Sequence, residues 1–164
     1  MPSLSKRLIA AEMRKVFGED EKRIAHAQSV LFFAERILLE EPGDSEVVVA
    51  AALLHDIGIH EAERKHGSNA GRYQEIEGPP IAERILESLG ADPKLVSEVC
   101  DIISHHHSPQ KKETLNFKIL YDADLLVNLR DEVHPSRWAG LGEKMKKMFF
   151  TATGLNVARK ELLR

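Results

Sequence analysis

An apolar run that ends in a histidine and an aspartate has the clearest chemical meaning in this sequence. Residues 47–54 are all apolar and lead directly into His55 and Asp56. Burying an ionisable pair at the end of such a run costs free energy unless the pair is hydrogen-bonded, ion-paired or bound to a metal. Imidazole and carboxylate ligands together suit divalent transition metals. We therefore expect His55 and Asp56 to belong to a metal site at the end of a buried helix.

Three further groups could add ligands to this pair. His26 shares one helical face with apolar residues, although a lone inward histidine is also typical of a core residue with satisfied hydrogen bonds. A later segment carries Asp122 and Asp124, which both have apolar helical neighbours, so spacing alone does not choose between them. The triplet at 105–107 supplies either ligands or a polar helix end that the helix dipole stabilises.

The elements that must position these residues are predicted to be helices, because apolar residues recur with helical spacing and no alternating strand pattern appears. Asp20 and Asp92 are placed to cap helix starts, and Gly58 is placed just past a helix end, where glycine tolerates left-handed backbone. Residues 59–77 predict a loop or a short helix at the mouth of the site. The all-α fold then has helices over residues 3–17, 21–40, 45–56, 81–89, 94–104, 116–129, 137–150 and 155–163.

Composition limits the class of protein. The 164 residues predict a single domain over 1–164, and a net charge of -3 with a pI near 6.2 gives no support for nucleic-acid binding. The single cysteine, Cys100, excludes an internal disulfide, fits a reducing compartment and is expected to pack in the core. Charged residues interrupt the segment 1–16, which argues against a secretory signal, and no apolar run could span a bilayer. We expect a cytoplasmic protein.

The sequence resembles the HD-domain superfamily of metal-dependent phosphohydrolases, as a small stand-alone member, over roughly residues 23–130. The matching pieces are Arg23-Ile24-Ala25-His26, Leu53-Leu54-His55-Asp56-Ile57-Gly58, the segment 78–86, Ile102-Ile103-Ser104-His105-His106 and Ala123-Asp124-Leu125-Leu126. The resemblance implies a helical bundle of five or more core helices. From the residue pattern, the segment 136–164 is expected to pack on it as C-terminal helices. It implies metal ligation by His26, His55, Asp56 and Asp124. It favours Asp124 over Asp122 because the family aspartate lies in an Ala-Asp-x-Leu context.

The sequence also departs from the family pattern. Members with two metals have a histidine shortly before the segment 78–86, where this chain has Tyr73-Gln74-Glu75-Ile76-Glu77. Glu75 or Glu77 could replace that histidine as a ligand, act as a base, or be a surface residue. Ser108-Pro109-Gln110 replaces the Gly-Tyr-Pro segment of cyclic-dinucleotide phosphodiesterases, and the carboxylates that alarmone hydrolases carry after the His-Asp pair are missing. Both of those activities are therefore disfavoured.

The resemblance predicts a phosphohydrolase that acts on a small phosphorylated metabolite, with a nucleotide as the expected substrate. Asp56, His105 and His106 are the predicted catalytic residues, and His105 and His106 would also bind the phosphate or a second metal. Arg23, Arg64 or Lys118 could add cationic contacts to the phosphate. The cofactor would be one or two divalent ions per chain, of manganese, cobalt, nickel, iron, magnesium or zinc.

Two other functions remain open at this point. One is a di-iron oxygenase of the same fold, and the other is a catalytically silent domain that binds a nucleotide. We expect no nucleic-acid or membrane partner. The apolar residues near the C-terminus either pack in the core or cover a neighbouring subunit in a homodimer; they are Met145, Met148, Phe149 and Phe150.

Overall fold

The computed structural model describes residues 3–163, apart from the side chain of residue 139. The described residues form nine α-helices and two short 3-10 helices and contain no β-strand, which confirms the predicted all-α fold. The α-helices are α1 Lys6–Phe17, α2 Glu21–Leu38, α3 Ser45–Leu54, α4 Ile59–His66, α5 Gly71–Ser88, α6 Pro93–His105, α7 Leu115–Glu132, α8 Gly142–Met148 and α9 Ala152–Leu162. The 3-10 helices are Pro135–Arg137 and Ala139–Leu141. No described helix combines the length and the apolar character that crossing a bilayer would need.

Polar side chains begin most of these helices. Each one accepts a hydrogen bond from a backbone N–H two or three residues further along, which satisfies a donor that has no partner within the helix. The capping residues are Ser5 for α1, Asp20 for α2, Asp44 for α3, Asp92 for α6, Thr114 for α7 and Thr151 for α9. The predicted caps at Asp20 and Asp92 are confirmed.

Helix α3 lies at the centre of the bundle and packs against α1, α2, α6 and α7. Its alanines, at positions 50–52, have no exposed surface, and their small side chains let the neighbouring helices approach closely. The helix is therefore covered on several sides, and His55, which follows its last residue, is also fully buried. The position of the His-Asp pair inside the protein follows from this packing.

The segment 59–77 is more helical than its sequence predicts. Helix α4 occupies its first half, and α5 begins at Gly71 rather than near residue 81. Helix α5 continues through Pro79 and Pro80, although each proline lacks the N–H that would pair with the carbonyl four residues earlier. The close packing of Gly78 against Gly58 and against the side chain of residue 103 supports the helix at this point, and no local pattern reports such a contact.

The predicted left-handed conformation of Gly58 is wrong. Gly58 has a φ of −84° and a ψ of −3°, so it is right-handed and precedes α4. A Cβ atom at this position would lie 2.5 Å from the backbone nitrogen of Gly78 and 2.8 Å from its Cα. Glycine is therefore required by the close approach of two backbones, and that approach fixes the turn that follows the His-Asp pair.

The C-terminal part of the chain is tied to α7 and α2, which α9 contacts. Met145 and Phe149 are buried, and Phe150 is partly exposed but lies against the rings of Phe117 and Tyr121. These contacts agree with core packing of the C-terminal apolar residues. A homodimer stays a prediction.

Cys100 is half-buried, and its thiol donates a hydrogen bond to the carbonyl oxygen of Pro79 at 3.5 Å. Burial, together with the nearby carboxylates of Glu83 and Glu87, raises its pKa to about 11. The side chain is therefore a neutral thiol near pH 7, and a reactive thiolate is disfavoured.

The contact between Gly58 and Gly78 can be tested with one added methyl group. Gly58→Ala places a Cβ against backbone atoms that cannot move independently, so we expect the free energy of unfolding to fall by about 2–3 kcal/mol in chemical denaturation. Gly142→Ala is the matched control, because a Cβ there meets nothing within 4 Å. It should change stability by less than about 0.5 kcal/mol. Equal stability of the two variants would contradict the close approach.

Candidate metal site

Four side chains from α2, the end of α3 and α7 converge at one point. The Nε2 atom of His26 lies 3.0 Å from Asp124 Oδ1 and 3.3 Å from Asp56 Oδ2. The Nε2 atom of His55 lies 3.3 Å from the same two oxygens. The structure therefore brings His26, His55, Asp56 and Asp124 together, as the sequence predicts, although they are separated by up to 98 positions. We call these four residues the ligand cluster.

The ligand cluster presents the atoms that a metal ion binds. The Nδ1–H group of His55 donates to the carbonyl oxygen of Ala52 at 2.9 Å, so Nε2 is the ring nitrogen that faces the cluster. His26 and His55 also bring their Nε2 atoms within 3.3 Å of each other. Two imidazole nitrogens and two carboxylates that converge in this way fit a divalent transition metal.

The electrostatics of the cluster also favour a cation. Burial would lower the pKa of His55, but the carboxylates of Asp56 and Asp124 outweigh it and raise that pKa well above the ordinary value. Burial opposes ionisation of Asp56, but His55 and His106 hold its pKa well below the usual range. The pKa of Asp124 is also lowered, by His55 and His26, against the effect of burial. The two carboxylates are therefore ionised and need positive charge beside them.

His106 extends the ligand cluster on the other side of Asp56. Its Nδ1–H donates to the carbonyl oxygen of Ile103 at 2.8 Å, so its Nε2 is the free ring nitrogen, as in His55. That Nε2 atom is buried and lies 3.4 Å from Asp56 Oδ1 without forming a hydrogen bond to any described residue. A buried polar atom without a hydrogen-bond partner is costly, and a bound cation would satisfy it. Asp56, His106 and His107 form a second group with metal-ligand spacing.

His105 is not brought to the cluster. Its Nε2 lies 3.0 Å from Glu113 Oε1, and its ring stacks on Phe117 with centroids 4.6 Å apart. His105 ends α6, and the chain turns immediately after it, so His106 and His107 face the site while His105 faces α7. The structure thus places His105 outside the ligand cluster, which gives no support to its predicted catalytic and metal-binding role.

His107 takes the place predicted for His105, and the start of α5 holds it there. Its Nε2–H donates to Gln74 Oε1 at 3.0 Å, and its backbone N–H donates to Glu75 Oε2 at 3.0 Å. A Cβ atom on Gly71 would lie 2.9 Å from the imidazole Cγ, so the ring packs directly on the helix backbone. Gln74 was missed in the sequence because its segment was predicted to be irregular.

Neither glutamate considered as a substitute ligand reaches the cluster. Glu75 Oε2 accepts the hydrogen bond from His107 and one from Ser108 Oγ at 2.8 Å, so it orders the turn. Glu77 pairs with Lys65 at 3.1 Å and with His66 at 3.0 Å. Both carboxylates therefore stabilise the scaffold.

The ligand cluster lies in a cleft of about 260 Å³. Of the three predicted cationic contacts, Arg23 lines this cleft. Arg64 instead pairs with Glu61 on the surface of α4, and Lys118 lies outside the cleft lining. The lining residues are Lys22, Arg23, His26, Asp56, Ile59, Gln74, His107, Asp124, Asn128, Asp131 and Glu132.

Asp122 and Asp124 have separate roles. Asp122 faces the C-terminal segment, where Oδ1 accepts from the backbone N–H of Phe150 and Oδ2 accepts from the backbone N–H and the hydroxyl of Thr151, at 2.7–2.8 Å. Burial raises the pKa of Asp122 to about 6, although these hydrogen bonds oppose the shift. The expected preference for Asp124 as the ligand agrees with this geometry.

Comparisons with known proteins agree with the fold. The sequence model of the HD domain family matches residues 23–129. Ribonuclease Y of Thermus thermophilus is 31% identical over 129 residues, which cover 79% of this chain but only 20% of that protein. The crystal structure of a predicted HD superfamily hydrolase from an uncultured Thermotogales bacterium is 30% identical, with a TM-score of 0.70. The match covers 94% of this chain and 83% of that one.

The two aspartates of α7 provide a matched pair of variants. Asp124→Asn removes a charged ligand, and we expect metal affinity to fall by more than about 100-fold in calorimetric titration. Asp122→Asn should change metal affinity by less than about threefold but lower the free energy of unfolding by about 1–3 kcal/mol, because one backbone donor loses its acceptor. A large loss of metal affinity in Asp122→Asn but not in Asp124→Asn would make Asp122 the metal ligand instead of Asp124.

Metal binding should also release protons. In the metal-free protein His55 is protonated near pH 7, because its pKa is raised, and this contributes stability that is lost as the pH rises through that pKa. A metal ion must displace this proton, so affinity should increase with pH and about one proton should leave per ion. Calorimetry at pH 7 in buffers of different ionisation enthalpy measures this number. Binding heat that is independent of the buffer would rule out a protonated His55.

Proposed function

The chain belongs to the HD domain family, and from this premise we propose that it is a metal-dependent phosphohydrolase. The substrate we propose is a phosphoester of a small metabolite, with a nucleotide as the expected case. The observation that carries the proposal is the ligand cluster, in which imidazole nitrogens and carboxylate oxygens lie 3.0–3.3 Å apart beside an open cleft. This donor set and its accessibility support a metal centre that a substrate can reach.

His26, His55, Asp56 and Asp124 would hold the divalent ion. When bound, such an ion supplies a water of lowered pKa and polarises a phosphoryl oxygen. Manganese, cobalt, nickel, iron and zinc suit the imidazole donors better than magnesium does. The backbone-held tautomer of His55 keeps one ligand nitrogen fixed before the metal arrives.

Other residues in the cleft or beside it would bind a second cation or the phosphate. His106 Nε2 forms no hydrogen bond to a described residue and lies 3.4 Å from Asp56 Oδ1, so it can bind a metal ion beside that carboxylate. The Nε2–H of His107 donates to Gln74 Oε1, which leaves the lone pair of Nδ1 to bind a cation or accept a proton. Lys22 and Arg23 add positive charge to the same cleft. These two cations would stabilise the negative charge that develops during phosphoryl transfer.

The size and charge of the cleft support a small substrate. Its volume of about 260 Å³ lies just below the range of roughly 300–1,000 Å³ that is common for drug-sized ligands. The carboxylates of Asp131 and Glu132 also line it, and the whole chain carries a net charge of -3. Both features oppose binding of a polyanionic strand.

Cleavage of RNA phosphodiesters is the second candidate, because one relative is named a ribonuclease. The chain spans about a fifth of that protein's length, so its activity cannot be transferred without a direct test. A short oligoribonucleotide therefore belongs in the substrate panel.

The test is phosphate release by metal-stripped protein to which manganese, cobalt, nickel, iron, magnesium or zinc is added back. Nucleotides, sugar phosphates, generic phosphoesters and an oligoribonucleotide form the panel. Asp56→Ala should lower kcat/KM by at least about 100-fold, because it removes a ligand. His107→Gln should lower it by about tenfold or more, whereas His105→Gln, the matched control outside the cleft, should stay within about twofold of wild type.

The outcomes separate the possible functions. If the Asp56→Ala variant keeps wild-type turnover, the proposed site is contradicted. With no turnover under any metal, the phosphohydrolase proposal fails. Oxygen consumption with bound iron would then indicate the oxygenase, and thermal stabilisation by nucleotides alone would indicate a binding domain.

A further inference from the structure

The cleft beside the ligand cluster has two walls of opposite charge. Lys22 and Arg23 lie in the first turn of α2, and Asp131 and Glu132 lie in the last turn of α7. Helix dipoles add to both charges, since a helix is positive at its N-terminus and negative at its C-terminus. A ligand in the cleft therefore meets positive charge on one side and negative charge on the other.

Several of these wall groups are available to a ligand. Glu132 is exposed and forms no hydrogen bond or ion pair with another described residue. Asn128 is half-buried, and its side-chain amide likewise makes no hydrogen bond to the rest of the described chain. Asp131 differs, because the Nε of Arg130 lies 2.8 Å from its Oδ1 and offsets much of its charge. Glu132 is thus the carboxylate of this wall whose charge a ligand would meet in full.

The spacing along α7 orders these groups relative to the metal site. Asp124, Asn128 and Glu132 are separated by four residues each, so they lie on one stripe of the helix. With a rise of 1.5 Å per residue, Asn128 lies about 6 Å and Glu132 about 12 Å beyond Asp124 along the axis. A substrate whose phosphate lies at the ligand cluster would place its alcohol portion beside these two side chains.

We propose that Asn128 and Glu132 form a subsite for the alcohol portion, which selects monoesters of a polyhydroxylated alcohol such as a nucleoside and rejects substrates with a second phosphate. This inference rests on the proposed function. A carboxylate accepts hydrogen bonds from hydroxyl groups, and such charge-assisted bonds are stronger than neutral ones. The same carboxylate repels an additional phosphate.

Binding of two non-hydrolysable probes tests this inference. The probes are the phosphonate analogue of AMP, in which a methylene group replaces the ester oxygen, and α,β-methylene-ADP. Each is titrated into cobalt-loaded protein in a calorimeter at low ionic strength. We expect wild type to bind the AMP analogue about tenfold more tightly, because a second phosphate lies near Glu132.

Three variants then show which residue causes the tighter binding of the AMP analogue. Glu132→Gln should reduce the preference about fivefold, chiefly by tightening binding of the ADP analogue. Asp131→Asn should reduce it less, because Arg130 already pairs with that carboxylate. Glu143→Gln is the control on α8, where the carboxylate is exposed and pairs with Lys146 outside the cleft. It should leave the preference unchanged.

The possible results separate this inference from the proposed function. An unchanged preference in Glu132→Gln, equal binding of both probes by wild type, or no binding of either probe overturns the subsite. If phosphate release is seen but Glu132→Gln leaves the preference for the AMP analogue unchanged, the hydrolase proposal is supported and the subsite is contradicted. If Glu132→Gln reduces the preference for the AMP analogue but no ester is cleaved, the subsite is supported as a recognition site and the hydrolase proposal is contradicted.

Discussion

The fold depends on how it accommodates two buried carboxylates that lie against imidazole rings. Asp56 and Asp124 are largely removed from solvent, and each stays ionised because His55 and a second histidine lie within 3.4 Å. Desolvation of such groups is costly, and the cost is offset only when the opposite charges are held in close and fixed positions. The buried helix α3 provides that fixed position, because its small side chains let α2, α6 and α7 all pack near its end. The same packing that makes an isolated buried charge unfavourable also makes the site well suited to a metal ion.

Much of the site could be predicted from local pattern, and the misses share one cause. Helix starts were predictable because a capping aspartate acts on the next few residues, as at Asp20 and Asp92. The ligand cluster was predictable because a family pattern specifies residues that are distant in the chain. The reason for Gly58 was not, because it depends on contact with Gly78, 20 positions further along the chain. Nor was the start of α5, where Gly71 packs against His107, 36 positions away. His105 was chosen over His107 because sequence order does not tell which of three adjacent histidines faces the site after the chain turns.

Asp122 and Asp124 illustrate how far environment, rather than residue type, sets chemistry. They lie about 200° apart around α7, so one faces the C-terminal segment and the other faces the ligand cluster. Asp122 meets neutral donors in a buried pocket, and its pKa rises to about 6, whereas Asp124 meets imidazole rings and its pKa falls. One carboxylate therefore anchors the helix and the other can bind a cation.

Because Asp124, Asn128 and Glu132 belong to one helix, the distance between the metal site and the outer wall of the cleft is set by helical rise rather than by a loop. The hydrogen bonds that Asp122 accepts from residues 150 and 151 fix that helix against the C-terminal segment. Substitutions at the outer wall can therefore change which alcohol portion fits while the ligand atoms keep their positions. On this argument, relatives that share the ligand cluster can differ in substrate through the surface of α7 alone, which is why a relative's name does not define the substrate of this chain.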